Sequence, residues 1–390
     1  MAFSTRRHSC CLLCLIGVLL GTRQTAQALT FNLTFDASTA AAPANFFTAF
    51  DTAIQFYETT FDDPIAMNLQ VGWGEVAGQS LPSGFLGESS AIQPGFFTFT
   101  NVKSALVNDA KSSSDLLSVA NLPASDPTNG GTFKLSRANS RALGFMAGNG
   151  AGLDGSVGFN SADPFTFDPN NRAVPGKVDF IGVAEHEISE VMGRFGLVSG
   201  NHTPLDLFRY SPNGTLDLTP ENGAYFSING GAAAINTFNG TGGGDLSDWA
   251  GATLDAYNAT LPTGVEYPIS PGDITTMDVI GYDLLLPGDL NHDGHVDAAD
   301  IPVLLQALVD PAAFKTNHDL IDAAFTKLAD LNGDGIVTNT DIQALLNLLL
   351  SGHGSADPVP EPNTFLLAIL IALVVRPRRT TAKSARASFR

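Results

Sequence analysis

Two twelve-residue segments near the C-terminal end constrain the fold of this chain most, because both carry the pattern of a calcium-binding loop. They are residues 289–300 (DLNHDGHVDAAD) and residues 330–341 (DLNGDGIVTNTD). In such loops, side-chain oxygens at positions 1, 3, 5 and 12 converge on one ion, glycine at position 6 allows a sharp turn, and residue 7 offers its backbone carbonyl. The pattern predicts these Ca²⁺ ligands: Asp289, Asn291, Asp293, His295 and Asp300 in the first loop, and Asp330, Asn332, Asp334, Ile336 and Asp341 in the second.

Each loop is followed by a leucine-rich segment with helical spacing, IPVLLQALV or IQALLNLLL. The twelfth ligand is Asp rather than Glu, and no long helix precedes either loop. With the duplication, these features resemble the dockerin type I module, over residues 286–352. The resemblance implies a small all-α domain and a cohesin-like partner. The residues before position 12 differ between the loops (Ala298-Ala299 against Asn339-Thr340), so an exopolysaccharide or matrix partner stays open.

The N-terminal residues 1–28 read as an export signal. Arg6 and Arg7 precede an apolar run at 10–20, and Ala26-Gln27-Ala28 is a small-x-small cleavage pattern. All three cysteines, Cys10, Cys11 and Cys14, lie inside this segment. We therefore expect an exported protein without disulfides, thiolate metal sites or cysteine nucleophiles.

The C-terminal end carries a three-part pattern. A linker at 353–363 contains Pro360-Glu361-Pro362, and residues 364–390 hold a short apolar run followed by a basic tail. This order resembles the PEP-CTERM sorting signal of exported bacterial proteins. The resemblance implies a transient membrane anchor that C-terminal sorting or processing machinery acts on, and a location at the cell surface or outside the cell.

Charge excludes one class of partner. Nine of the 20 Lys and Arg residues lie at 1–28 and 364–390 and none of the 39 acidic residues does, so the chain between these segments is more acidic than the whole-sequence charge of −19. Such a surface repels nucleic acid and attracts divalent cations. We therefore exclude a nucleic-acid partner.

Residues 29–285 predict a mixed α+β domain. Alternating apolar residues indicate strands at 29–35 and 67–76. Apolar residues at helical spacing indicate a helix at 44–59, and two further helices are predicted at 178–194 and 273–284. This order of elements is an α+β layout.

The segment HEISEVMGR, residues 186–194, carries the candidate chemistry. His186 and Glu190 lie one helical turn apart and share a face, so both can bind one metal ion. Zinc accepts carboxylate oxygen as well as imidazole nitrogen. Glu187 holds the position at which zinc hydrolases carry the general base that activates water. The segment predicts a Zn²⁺ site in which Glu187 is catalytic.

The third zinc ligand is less obvious from the sequence. A metzincin places a ligand ten residues after the first His, where this chain has Gly196. His202 and Asp206 follow. HEISEVMGR, PLDLFRYSPNG, DLSDWAG and SPGDITTMDVIGYDL together resemble a family of exported bacterial metalloproteases known chiefly from sequence.

That resemblance implies a zincin-like catalytic domain and a peptide or protein substrate. The Glu at position 190 is then a family trait. Since the family repeats the segment Asp-Leu-Phe-Arg-Tyr, the resemblance favours Asp206 over His202 as third ligand. A catalytically inactive calcium-binding adhesion protein on the same fold is the main alternative, and a metal hydrolase of a non-peptide polymer is another.

Overall fold

The structure is a computed structural model that describes residues 28–196, 200–220, 223–240, 244–251 and 253–351. The export signal predicted at 1–28, apart from Ala28, and the sorting segment predicted at 353–390 lie outside these residues. No helix within the described ranges combines the length and apolarity needed to cross a membrane.

The described chain contains eleven strands and ten α-helices. In chain order, the elements before the site helix are β1 (Thr30–Phe35), α1 (Phe46–Thr60), β2 (Ala66–Trp73), β3 (Glu75–Val76), β4 (Gln79–Ser80), β5 (Gly87–Ala91), α2 (Phe99–Asp109), α3 (Ser113–Ala120), α4 (Arg137–Ala142), β6 (Gly155–Phe159), β7 (Phe165–Thr166) and β8 (Val178–Asp179). They are followed by α5 (Phe180–Met192), β9 (Arg209–Tyr210), β10 (Tyr225–Phe226), β11 (Asn236–Thr237), α6 (Pro271–Val279), α7 (Asp300–Val309), α8 (Pro311–Asn317), α9 (Asp322–Ala329) and α10 (Asn339–Leu350). Two short 3-10 helices span Ala37–Ala41 and Pro204–Phe208.

The main sheet has the strand order β1-β2-β6-β5. The first three strands are parallel, and β5 pairs with β6 in the antiparallel direction. In this register Ser89 lies opposite Val157, which in turn lies beside Val71 of β2. The sheet therefore ends at β5, an edge strand that packs against α5.

An aromatic core joins the sheet to helices α1 and α5. The ring of Phe46 lies 5.2 Å from that of Phe180, and the ring of Phe159 lies 4.8 Å from Phe180. All three side chains are fully buried. Burying a phenylalanine stabilises the fold by about 1.5–3 kcal/mol. Because Phe180 is the first residue of α5, this packing fixes the start of that helix.

A second core lies C-terminal to residue 284. It is formed by buried residues of the last four helices and of the segments before and between them, including Leu290, Leu304, Leu328 and Leu345, together with Ala28. The first calcium-type loop contacts the larger domain, since His292 Nδ1 lies 2.5 Å from Asp62 Oδ2. The structure is thus a mixed α/β domain with small sheets, followed by a small α-helical unit.

Two predicted helices are shorter in the structure than in the sequence analysis. The helix expected at 178–194 begins at Phe180, because residues 178–179 pair with β7 instead. The helix expected at 273–284 ends at Val279. Gly281 follows with φ at +112°, a conformation that ends a right-handed helix. The first difference comes from pairing with a distant strand, and the second from a glycine within the predicted segment.

Candidate metal centre

Helix α5 places the HEISEVMGR side chains inside the protein. All thirteen of its residues are buried. The helix ends at Met192, and Gly193 follows as its C-cap with a φ of +121°, which is strained for any residue with a Cβ. A Cβ there would also meet the Cβ of Asn139 at 2.8 Å. Gly193 therefore lets the chain turn sharply directly after the three candidate side chains.

His186 is held in one orientation. Its Nδ1 donates a hydrogen bond to the carbonyl oxygen of Ala256 at 2.8 Å. A neutral imidazole bonded in this way carries its proton on Nδ1 and leaves the lone pair of Nε2 available. Nε2 lies 3.3 Å from Glu190 Oε1 and 3.4 Å from Asp248 Oδ1. The free nitrogen therefore faces two carboxylates.

Asp248 is the third member of this group, and it was not among the zinc ligands predicted from the sequence. Among the described residues, ligand atoms of His186, Glu190 and Asp248 come within 4.8 Å of one another. Asp248 lies 62 residues after His186 and belongs to the DLSDWAG segment. The signal that could have found it was that motif, which the sequence analysis used only to support the family resemblance.

The residues expected as third ligand do not belong to the group. Asp206 Oδ2 accepts hydrogen bonds from Thr203 N at 2.7 Å and from Thr203 Oγ1 at 3.1 Å, so this carboxylate caps the 3-10 helix at 204–208. The ring of His202 packs against Phe133 at 5.7 Å. Asp248, rather than Asp206 or His202, therefore lies with His186 and Glu190, and the preference for Asp206, with His202 as alternative, stays a prediction that this geometry does not support.

The donor set fits a zinc ion. One imidazole nitrogen and two carboxylate oxygens are all atoms that zinc accepts. Ligands bound about 2.0–2.1 Å from one tetrahedral zinc lie about 3.3–3.4 Å apart. The separations of 3.3 and 3.4 Å from His186 Nε2 agree with that spacing.

A buried arginine completes the surroundings of the centre. Arg194 Nη1 donates to Asp248 Oδ1 at 2.8 Å, and Nη2 donates to Glu190 Oε1 at 3.4 Å. The other oxygen of Glu190, Oε2, accepts a hydrogen bond from Ser89 Oγ on β5 at 2.7 Å. Both candidate carboxylate ligands are therefore oriented by neighbouring donors.

The charges around the centre favour a divalent cation. With His186 neutral and all carboxyl groups ionised, Glu187, Glu190, Asp248 and the neighbouring Asp245 exceed the single positive charge of Arg194 by three. Isolated buried charges are costly and must be paired or neutralised by protons or metal. One divalent ion would offset two of these three charges.

In the metal-free protein, bound protons neutralise part of this negative charge. Burial of His186 disfavours its charged form, but Asp248 and Glu190 outweigh this effect and raise its pKa to about 10. Burial also opposes ionisation of Glu190, but the hydrogen bond from His186 and the nearby Arg194 lower its pKa to about 2. Burial and the charge of Glu190 raise the pKa of Glu187 well above its usual range.

The centre opens into a cleft of about 680 Å³. His186, Glu187, Glu190 and Asp248 all line it, and β5 forms one wall. Gly87 on that wall lies against Glu187, since a Cβ on Gly87 would meet Glu187 Oε1 at 2.7 Å. The candidate base is thus accessible from the cleft and confined by the edge strand.

The two calcium-type loops have matching local geometry. In the first, Asp289 accepts hydrogen bonds from Asp293 N at 3.1 Å and Gly294 N at 2.8 Å. In the second, Asp330 accepts from Asp334 N at 3.1 Å and Gly335 N at 2.7 Å.

The remaining predicted ligands follow the same pattern. Asp300 Oδ1 accepts from Asn291 N at 3.1 Å, and Asp341 Oδ1 accepts from Asn332 N at 3.1 Å. Asp293 Oδ1 accepts from His295 N, and Asp334 Oδ1 from Ile336 N, each at 3.0 Å. The loops are therefore folded as two copies of one turn, with the predicted ligands at equivalent places.

Comparison with known proteins identifies the C-terminal unit. Residues 287–350 match the family model of the dockerin type I domain. No curated protein and no solved structure matches the chain. Dockerin domains bind calcium and typically bind cohesin partners. Residues 287–350 therefore form a dockerin type I domain, which follows a larger mixed α/β domain.

Proposed function

We propose that the large domain is a zincin-like, zinc-dependent metallopeptidase that hydrolyses peptide bonds. The observation that carries the proposal is the convergence of His186 Nε2 with the carboxylates of Glu190 and Asp248, beside Glu187 in an open cleft. The HEISEVMGR and DLSDWAG segments that resemble exported metalloproteases supply these four side chains.

His186, Glu190 and Asp248 would hold the zinc ion. A zinc ion bound there supplies Lewis acidity for the polarisation of a carbonyl and the activation of water. Glu187 accepts a proton from the attacking water and later delivers it to the leaving amine.

An extended peptide is the substrate that the cleft wall favours. Asn160 N donates to Leu86 O and Ile92 N donates to Asp154 O, each at 2.9 Å, on either side of β5. In an antiparallel ladder these bonds alternate, so the backbone polar groups of Gly87 and Ser89 point away from β6. A peptide chain can pair with such an edge. Both residues line the cleft.

The dockerin domain would bind calcium through its two loops and attach the protein to a cohesin-like partner. An exopolysaccharide or matrix partner would serve the same tethering role. With the export and sorting signals expected from the sequence, we propose a secreted or surface-associated enzyme that C-terminal sorting machinery processes.

Changing Glu187 to Gln tests the peptidase. Loss of the base should lower hydrolysis of casein by about 10²–10⁴-fold while zinc content stays the same. Glu185→Gln is the matched control, because Glu185 lies on the same helix outside the metal group. Its Oε2 lies 3.4 Å from Arg172 Nη2, and the amide oxygen of Gln can accept the same hydrogen bond. Hydrolysis that survives Glu187→Gln would reject the mechanism.

A catalytically inactive adhesion protein is the second candidate function. One observation favours it. With a proton on His186, the cations of His186 and Arg194 balance the anions of Glu190 and Asp248 without any metal. Wild-type protein that binds calcium but contains no zinc and cleaves no protein substrate would support this function instead.

A further inference from the structure

Arg194 lies beneath the centre, with its side chain completely excluded from solvent. It follows Gly193, and its backbone N–H donates to Ser189 O at 3.0 Å, so the chain folds back under the end of α5. The guanidinium donates through Nε to Ser189 Oγ at 2.7 Å and lies 4.3 Å from the centre of the Tyr257 ring. The fold therefore fixes this cation in one place.

The guanidinium contacts the same oxygen atoms that face the imidazole of His186. Glu190 Oε1 lies 3.3 Å from His186 Nε2 and 3.4 Å from Arg194 Nη2. Asp248 Oδ1 lies 3.4 Å from His186 Nε2 and 2.8 Å from Arg194 Nη1. Each carboxylate oxygen therefore lies within reach of both the guanidinium of Arg194 and the imidazole Nε2 of His186.

This arrangement offsets an unusual ligand charge. A catalytic zinc site with two His and one Glu carries one negative charge, as in one common type of zinc hydrolase. A site with one His and two carboxylates carries two negative charges. Excess negative charge at the ligands makes the metal a weaker Lewis acid. Arg194 removes one unit of that excess, since a guanidinium in a buried site stays protonated.

We propose that Arg194 is a positioning residue that compensates the second carboxylate. It would give the site of His186, Glu190 and Asp248 the net charge of a site with two His and one carboxylate. This role rests on the metal site of the proposed function. It also assigns a function to the last residue of the HEISEVMGR segment.

A purely structural role predicts a different result from charge compensation. If Arg194 only held Glu190 and Asp248 in place, its removal would disorder the ligands and weaken metal binding. If it compensates charge, removal leaves two buried carboxylates that attract a cation more strongly. Opposite charges in a partly buried site interact strongly enough to change affinity on the order of tenfold or more.

The test compares Arg194→Gln with Arg194→Lys, which keeps the charge. The measurements are the Kd for Co²⁺ and Zn²⁺ by titration calorimetry and the rise in Tm on adding each metal. Charge compensation predicts that Arg194→Gln has a lower Tm without metal, a larger metal-induced rise in Tm, and a Kd at least about tenfold lower than wild type. Arg194→Lys should lie close to wild type. Weaker metal binding by Arg194→Gln would overturn the proposal.

A second pair of variants covers the case in which Arg194→Gln does not fold. Asp248→Asn removes one ligand charge, and the double variant Arg194→Gln with Asp248→Asn also removes the compensating cation. Charge compensation predicts that the double variant binds Co²⁺ more tightly than Asp248→Asn alone. Equal or weaker binding by the double variant would overturn the proposal. A wild-type protein that binds neither metal would instead reject the metal site itself.

Discussion

The centre on α5 and the two calcium-type loops both gather carboxylates, but they hold them in different ways. In the loops, backbone N–H groups within the same twelve residues orient Asp289 and Asp330. At the centre, side chains from separate parts of the chain orient Glu190 and Asp248, chiefly Ser89 and Arg194. A site held by local backbone tolerates side-chain changes around it, whereas a site held by distant side chains depends on the whole domain.

Burial separates the centre from the second loop more than from the first. In the second loop Asn332 and Asp334 are exposed and Ile336 is 61 % accessible, although Asp341 is buried, as Asp289 and Asp300 are in the first loop. His186, Glu187, Glu190 and Asp248 are all at most 8 % accessible. Carboxylates in water are solvated without a metal, but buried carboxylates need protons or cations. We therefore expect metal removal to affect protonation at the centre far more than at the exposed residues of the second loop.

The largest expected effect is on zinc binding by Asp248→Asn. The amide cannot supply the negative oxygen that the site uses, so we expect zinc affinity to fall by at least about 10²-fold. Asp206→Asn is the matched control, because this residue caps a 3-10 helix. Zinc titration of both purified variants measures the difference. Loss of zinc in Asp206→Asn with retention in Asp248→Asn would restore the assignment based on sequence.

The next prediction separates the two calcium-type loops. Asp289→Asn and Asp330→Asn remove the same ligand charge, so each should weaken calcium binding in its own loop on the order of tenfold. The first loop also packs against the large domain through His292. We therefore expect Asp289→Asn to lower the Tm of the whole chain more than Asp330→Asn. Calorimetry with and without Ca²⁺ checks this, and equal decreases would contradict it.

The third prediction concerns pH at the centre. Below about 10, its pKa in the folded metal-free protein, His186 carries a proton that zinc must displace. Zinc affinity should therefore rise by about tenfold per pH unit below that pH for that one proton.

The stability of the metal-free protein should change in the opposite direction. A pKa raised by folding contributes stability that is complete below about 6.5 and is lost as pH rises towards about 10. Tm measured with EDTA should fall as pH rises across this range, because the stabilising contribution of protonated His186 is lost. Added zinc should restore more of the Tm at high pH than at low pH. Zinc affinity that does not depend on pH would show that no proton is displaced.

The smallest expected effect comes from His292→Ala. This change removes the contact with Asp62 and should reduce the free energy of unfolding by about 1–3 kcal/mol, because a buried charged partner loses its hydrogen bond. His295→Ala is the control, since position 7 offers only its backbone carbonyl to calcium. Urea unfolding of both variants measures the difference. A greater loss of unfolding free energy in His295→Ala than in His292→Ala would contradict the stabilising role given to the contact between His292 and Asp62.

Local patterns account for what the sequence predicted well. The calcium-type loops are complete within twelve residues, and His186, Glu187 and Glu190 share one helix, so spacing alone was informative. Asp248 lies far along the chain and reaches His186 only because the fold brings its segment beside α5. No periodicity encodes such a contact. Arg194 was visible in the motif, but its role depends on the turn at Gly193.

The contact between His292 and Asp62 has a consequence for how the protein would meet its substrate. The dockerin domain packs on the large domain, and Lys327 Nζ also donates to Thr59 O at 2.6 Å. A partner bound to the exposed second loop would therefore be held at a set distance and angle from the cleft. Such tethering raises the effective concentration of any polymer attached to the same partner. For the proposed peptidase, position on the assembly, as much as the shape of the cleft, would then select which chains are cut.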